Sequence, residues 1–298
     1  MIKPVYSTGL GSAYCADSLE IMRELETESV DLVVTSPPFA LRKKKSYGNV
    51  SAENYRDWFS PFADEIYRIL KRRGSFVLDI GGSWIKGKPT RSLYHFDLLL
   101  NLCKPKGKFN LAQEFYWFNP AKMPSPAQWV TIERIRVKDA VNPIWWLSKS
   151  SRPNASNRRV LTPYSKSMKR LLKNGYNQGQ RPSGHLVSAG WGKDRGGAIP
   201  PNLISASNTR STDNYIDACK KNGLEVHPAR FVEEVPEFFI KFLTIRNHLV
   251  LDPFAGSNLV GRVAENLGRK WISVEIKHEY VIGSAFRFVD MGEKLLKV

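Results

Sequence analysis

The sequence is poor in cysteine, in acids and in long apolar runs. Cysteine occurs three times in 298 residues, at Cys15, Cys103 and Cys219, and never as a C-x-x-C pair. An odd, dispersed set argues against a disulfide framework or a cysteine-bound zinc, and predicts reduced thiols. The five histidines show no metal-ligand spacing, so no metal site is expected. No apolar run is long enough to span a bilayer. The opening Met-Ile-Lys-Pro-Val-Tyr lacks the apolar core of a secretory signal, so the expectation is a cytoplasmic protein with no membrane partner. No internal repeat is visible. The dinucleotide fingerprint G-x-G-x-x-G is also missing, which argues against a pyrophosphate cradle.

Acids are outnumbered: 28 Asp and Glu stand against 45 Lys and Arg, a net charge of +17. Cations gain free energy by releasing counterions from phosphates, so a polyanionic partner is the natural inference. The charge is concentrated. From Arg152 to Arg195 there are ten Lys or Arg and one acid, Asp194, in a stretch rich in Gly, Ser, Asn and Pro.

Elsewhere the chain alternates short apolar runs with helical periods, the pattern of a mostly parallel α/β sheet. Strands are expected at 30–35, 75–80, 115–118, 144–147, 249–251 and 271–274. Helices are expected at 53–71, closed by Arg72, Arg73 and a Gly74 cap, and at 92–103, 231–246, 257–267 and from about 278. The stretch 152–212 breaks this rhythm and reads as an inserted module or long loops. The expected division is 1–150 and 216–298 as two parts of one domain, with 151–215 inserted between them.

Residues 249–276, L-V-L-D-P-F-A-G-S-N-L-V-G-R-V-A-E-N-L-G-R-K-W-I-S-V-E-I, form one unit: strand, Gly-containing turn, helix, strand, acid. A small turn brings backbone close to a ligand at a helix N-terminus, and an acid ending the next strand can bind ribose hydroxyls. Glu275 follows Gly256 by 19 residues. One turn glycine suits a ligand without phosphate, such as S-adenosylmethionine. A plain βαβ unit with an incidental acid is the competing reading.

Thr35-Ser36-Pro37-Pro38-Phe39 follows a buried strand. Two prolines stop the strand and fix the backbone; a rigid turn is the bland reading. Its neighbours permit more. Ser36 offers a hydroxyl acceptor, Pro37 a carbonyl, and Phe39 a stacking face. An aromatic amine is a poor nucleophile because its lone pair is delocalised. Two acceptors aimed at its N–H bonds would draw the nitrogen toward tetrahedral geometry, so catalysis would be positioning and electrostatics. A base in a duplex reaches such a site only when flipped out. The following basic run, Arg42, Lys43, Lys44 and Lys45, reads as a phosphate-gripping loop.

Together these segments resemble the bacterial amino-methyltransferases of restriction–modification systems. Catalytic motif, basic region, cofactor motif is the order of the family's beta group. The S-P-P-F-x-L-x-x-K-K-x-Y-G-N stretch and F-A-G-S-N look most like the Pvu-type cytosine-N4 enzymes. The resemblance implies a Rossmann-like methyltransferase sheet with a smaller inserted target-recognition region, S-adenosylmethionine as cofactor, and double-stranded DNA as substrate. It also implies a cognate restriction endonuclease, functionally linked though not necessarily bound. Ser36, Pro37, Pro38 and Phe39 would hold and orient the base. Asp252, Pro253, Phe254, Ala255, Gly256, Ser257 and Asn258 would line the cofactor pocket. Glu275, beside Ile276, would bind the ribose. Asp17 would meet the adenine end, unless it simply caps a helix. His227, Pro228 and Phe231, at the start of a helix, resemble the family's H/K-P-x-x-F motif. Asn258-Leu259 departs from the second glycine or Gly-Thr of many relatives. In the basic region Arg158, Arg159, Lys169, Arg170, Arg181, Lys193 and Arg195 would contact phosphates or base edges. Competing readings are adenine-N6 methylation, a non-catalytic DNA-binding protein on the same fold, and methylation of RNA or a protein amide.

Overall fold

A computed structural model describes residues 2–40, 50–175, 178–209, 214–229, 231–288 and 291–296. The basic run Arg42, Lys43, Lys44 and Lys45 lies outside the described residues.

The chain divides into two compact units, 1–155 with 202–298, and 156–201. The strands in chain order are β1 Tyr6–Ser7, β2 Gly11–Cys15, β3 Val30–Thr35, β4 Leu70–Asp79, β5 Asn110–Phe118, β6 Val141–Ser148, β7 Gly179–Gln180, β8 Leu186–Val187, β9 Leu203–Ser205, β10 Leu249–Asp252 and β11 Lys270–Glu275. The helices are α1 Ser18–Glu24, α2 Tyr55–Ile69, α3 Tyr94–Leu102, α4 Lys166–Asn174, α5 Asn214–Lys221, α6 Glu234–Leu243, α7 Leu259–Asn266, α8 His278–Ser284 and α9 Met291–Leu296.

In the larger unit the strands form one sheet in the order β1-β2-β11-β10-β3-β4-β6-β5-β9. The run from β2 through β4 is parallel, and β6 returns antiparallel beside β4. Strand alternation explains why both faces need helices. Val33, Phe76, Leu78, Trp145, Leu147 and Leu251 point to one core, which α2 fills with Tyr55, Phe59, Phe62, Ile66 and Ile69. Leu32, Val34, Val77, Trp146 and Val250 point to the other, filled from α6 and α7 by Val235, Phe239, Ile240, Val260 and Val263. Strands buried on both faces read as near-continuous apolar runs, and β3 is buried along its whole length, with Asp31 and Thr35 its two polar positions. Among the described residues no helix is long and apolar enough to cross a membrane.

The expected helix end at Arg72–Gly74 is corrected. The helix stops at Ile69, and Leu70 opens a ten-residue strand. Leu70 pairs with Val30 and Ser75 with Leu32, so residues 71–74 form an irregularity inside β4. The pairing partner supplied by β3 overrides the local helix-stop pattern. Sheet pairing resumes at Leu203, earlier than the expected boundary at 215.

The smaller unit is built from short pieces. Thr162 and Ala198 exchange backbone hydrogen bonds of 2.9 and 2.8 Å. Ser165 caps α4 by accepting from Met168 N, and β7 pairs with β8. No residue of α4 is buried, and Arg158, Lys169, Arg170, Arg181, Lys193 and Arg195 are exposed, with Arg159 half-buried.

Asp31 ties the amino edge of the sheet. Its buried carboxylate takes both oxygens to Lys71 Nζ at 2.9 Å, and accepts from Leu249 N at 2.9 Å. One side chain thus joins β3, β4 and β10. Asp31→Ala strands a cation and a backbone N–H, so it is expected to cost about 2–3 kcal/mol. Urea unfolding would read this as a lower midpoint at unchanged slope; an unshifted midpoint would remove the clamp.

Candidate active site

The ends of β11, β10, β3 and β4 lie side by side, one strand spacing of about 4.8 Å apart at each step. Each end presents a polar side chain: Glu275, Asp252, Thr35 with Ser36, and Asp79. Ligands of open α/β sheets gather at this edge because loops diverge there.

Thr35 Oγ1 donates to Asp252 Oδ1 at 2.7 Å, and Phe254 N donates to the same oxygen at 3.1 Å. Burial lifts the Asp252 carboxyl to about 7; these two donors oppose the rise and the charge of Glu275 adds to it. Glu275 is likewise raised, chiefly by burial. Its oxygens accept from Gly256 N at 2.9 Å and Lys277 N at 3.0 Å.

The turn 253–258 between them is tightly specified. Gly256 has φ +52°, and a Cβ there would sit 2.9 Å from the His227 ring. Only glycine accepts both the left-handed backbone and the close ring. Asn258 is also left-handed, at φ +51°. Its Oδ1 accepts from Gly261 N at 3.1 Å, capping α7, and from Ser273 Oγ at 2.6 Å, while Nδ2 donates to Tyr6 at 2.9 Å. Asparagine is one of the few non-glycine residues that accept this backbone. Arg287 donates to the Ser257 carbonyl at 2.6 Å and stacks 4.4 Å from the Tyr215 ring. The Tyr215 hydroxyl accepts from His227 N at 3.1 Å. Phe254 is set among Trp58, Phe62 and Phe59 of α2, with centroids 5.1–6.4 Å away.

At the other end, Ser36 Oγ donates to Asp79 Oδ2 at 3.0 Å. Burial raises the Asp79 carboxyl to about 7, with hydrogen bonds from Ser36 and Asn142 and the charge of Lys122 acting against it. The Tyr55 hydroxyl donates to the Pro38 carbonyl at 2.8 Å, which fixes the turn from outside. The Phe39 ring lies on Gly81, where a Cβ would be 2.6 Å from it.

Against this geometry, a family model described as DNA methylase matches residues 30–285. The chain belongs to the DNA methylase family. It is 51% identical to the type II methyltransferase M.PvuII of Proteus hauseri, over 97% of this chain and 86% of that one. It is 28% identical to the type II methyltransferase M.BamHI of Bacillus amyloliquefaciens, over 99% of this chain but 61% of that one. Among solved structures it matches PvuII DNA methyltransferase (cytosine-N4-specific) with TM-score 0.80, 45% identity, 99% of this chain and 93% of that chain.

The DNA methylase chain brings Ser36, Pro37, Pro38, Phe39, Asp252–Asn258 and Glu275 to one sheet edge. Asp17 does cap a helix: its Oδ1 accepts from Leu19 N at 2.8 Å at the start of α1. Ile276 is exposed. His227 lies in irregular chain and Pro228 in a bend before α6 rather than at a helix start, because that helix begins at Glu234; Phe231 packs on the core beside it. Sequence reasoning passed over Asp79, Arg287 and Tyr55. An acid closing the apolar run Phe76-Val77-Leu78-Asp79 before Gly81-Gly82 was the available signal for Asp79.

Replacing Asn258 separates backbone from side chain. Asn258→Ala loses the cap, about 1 kcal/mol, and adds a left-handed alanine, about 1–2 kcal/mol. Asn258→Gly loses only the side-chain bonds. Glycine is therefore expected to be the more stable variant in denaturant titrations, as the N-cap preference and the left-handed backbone both require; alanine at least as stable would show that the backbone angle is not decisive.

Proposed function

We propose that this DNA methylase transfers a methyl group from S-adenosylmethionine to N4 of a flipped cytosine in duplex DNA, as the modifying half of a type II restriction–modification pair. A cognate endonuclease that cuts the same site is then a functional partner, and a cytoplasmic location follows from the substrate. The observation that carries the reading is the direction of one hydrogen bond. Because Ser36 gives its hydrogen to buried Asp79, its remaining lone pairs are acceptors, which is what an amine N–H needs.

The 45–51% identity to enzymes named as PvuII methyltransferases, one of them described as cytosine-N4-specific, supports the choice of base. The residues at β10 and β11 suit the cofactor: a buried carboxylate for ribose hydroxyls, a glycine turn too sparse for a pyrophosphate, and the Phe254 ring. When bound there, the cofactor supplies an electrophilic methyl group.

This chain's own residues do the rest. The Phe39 ring, pinned over Gly81, offers a face for the extruded base. Ser36 Oγ and the Pro37 carbonyl take the two N–H bonds and hold the nitrogen lone pair toward the methyl. As the nitrogen gains the methyl it becomes acidic, and its proton can pass to Ser36 while the Ser36 proton moves to Asp79. A carboxylate near 7 is matched to that transfer at neutral pH. Arg158, Arg159, Lys169, Arg170, Arg181, Lys193 and Arg195 serve as DNA contacts in a target-recognition unit.

Nucleoside mass spectrometry on DNA treated with protein and cofactor is expected to show N4-methylcytosine; N6-methyladenine alone would overturn the base assignment. Ser36→Ala is expected to lower kcat about 100-fold or more with cofactor affinity intact. Glu275→Ala is expected to weaken cofactor binding about tenfold or more in calorimetry; unchanged affinity would remove its ribose role.

The raised Asp79 carboxyl gives a pH dependence of known sign. Below about 7 it is protonated and cannot accept. The rate of the chemical step should therefore rise with pH through about 7 and level off above. In Asp79→Asn the rate should be low and flat across that range. A variant that kept the wild-type inflection would assign the titration to another group.

A further inference from the structure

Two loops leave the same sheet edge, 81–92 after β4 and 119–140 between β5 and β6, and carry a surface that the chemistry above does not use. Their backbones are fixed. Asn119 N donates to Ala140 O at 2.8 Å, closing the base of the longer loop, and Ile135 N and Arg136 N both donate to Trp129 O, at 3.0 and 3.2 Å. Trp129 is buried 5.2 Å from Trp84 of the shorter loop. Arg136 stacks 4.3 Å from Trp84 and donates to Pro89 O at 2.7 Å, while Arg91 pairs with Asp139 at 2.9 Å.

On this fixed frame the apolar side chains face outward: Ile132 is 68% exposed, Ile135 58% and Val137 84%. Three apolar side chains within six residues, held in solvent on an ordered loop, mark a contact surface. Its surroundings are cationic, with seven Lys or Arg and two acids in the two loops. The longer loop begins and ends at the active site, since Lys122 acts on the charge of Asp79 and Asn142 hydrogen-bonds it.

We propose that Ile132, Ile135 and Val137 are the apolar tip that packs against the bases flanking the extruded cytosine, with Lys86, Lys88 and Arg134 on the neighbouring phosphates. The proposal rests on the base-flipping methyl transfer argued above. Extrusion leaves a gap in the stack, and apolar wedges on proteins fill such gaps between base steps. Branched side chains at Ile132, Ile135 and Val137 have few rotamers to lose on insertion. Charge complementarity selects DNA as the occupant over a protein or a second copy of the chain.

The test compares two variants, Ile132→Ser/Ile135→Ser/Val137→Ser and the same three positions changed to Leu. Single-turnover methylation is measured on a fully paired duplex carrying a mapped target site, and on the same duplex with an abasic site opposite the target base. On paired DNA the serine variant is expected to be slower by about tenfold or more, because extrusion of a stacked base is no longer supported. On the abasic duplex, where pairing is already lost, it should come within about threefold of wild type. The leucine variant should recover most of the paired-duplex rate. Equal loss on both duplexes, or no loss on paired DNA, overturns the proposal; the second result would leave the tip to a protein partner. If the wild-type product is N6-methyladenine, the cytosine assignment fails by itself, and the paired-against-abasic contrast still judges the tip.

Discussion

Thr35 and Asp252 are separated by 217 residues, and their side chains meet in a buried hydrogen bond of 2.7 Å. That bond spans the boundary between β3, which delivers the S-P-P-F turn, and β10, which delivers the D-P-F-A-G-S turn. The two turns cannot drift relative to each other without breaking it, and an acid left unpaired in the interior would cost several kcal/mol. The surrounding backbone is arranged to the same end. Phe254 N also satisfies Asp252, and Gly256 N satisfies Glu275 one strand away. The geometry between the two turns, and on the proposed function between methyl donor and amine, is therefore set by buried acids and their donors at the ends of neighbouring parallel strands.

Burying acids there has a chemical consequence. Asp79 and Asp252 are both lifted to about 7, in each case chiefly by burial, but their neighbours differ. Asp252 is enclosed by Thr35 and backbone, and is suited to hold structure. Asp79 faces Ser36, whose other lone pairs point away from it, and is suited to receive a proton. On the proposed mechanism similar shifts would serve separate roles, and what distinguishes them is the partner. Methylation of an amine needs no strong base, because the nitrogen becomes acidic only as the new bond forms. An acceptor near neutrality is sufficient.

Most of the fold was legible from apolar runs. β3, β10 and β11 lie where the runs and their turns put them, since a strand buried on both faces is apolar over most of its length. Boundaries slipped where tertiary pairing decided them. Arg72-Arg73-Gly74 has the local pattern of a helix end, yet β3 recruits Leu70 into the sheet five residues early. The candidate site was legible wherever the chemistry is local to a motif, as at Ser36 and the 252–258 turn. It was not legible where the partner comes from a distant strand or from the chain's other end. Asp79 has no motif around it, and Arg287 gains meaning only by reaching the Ser257 carbonyl. Asn258 is the instructive case: a non-glycine residue that holds a left-handed backbone and caps α7 with its own side chain.

The order of the motifs along the chain is the least constrained feature of such a protein. The site is made from strand ends, and a strand end is defined by its neighbours in the sheet rather than by its place in the sequence. β3 can precede β10 by more than two hundred residues because the chain closes the gap through β4, β5, β6 and β9 on one side of β3 and returns through α6 against the sheet. Segments between those strands are then free to differ. The 119–140 loop and the 156–201 unit are both such insertions, one fixed by paired tryptophans and the other a small compact unit of its own. Variation in them leaves Thr35, Asp79, Asp252 and Glu275 where they are. A reaction site at the sheet edge is thereby compatible with different recognition surfaces around it.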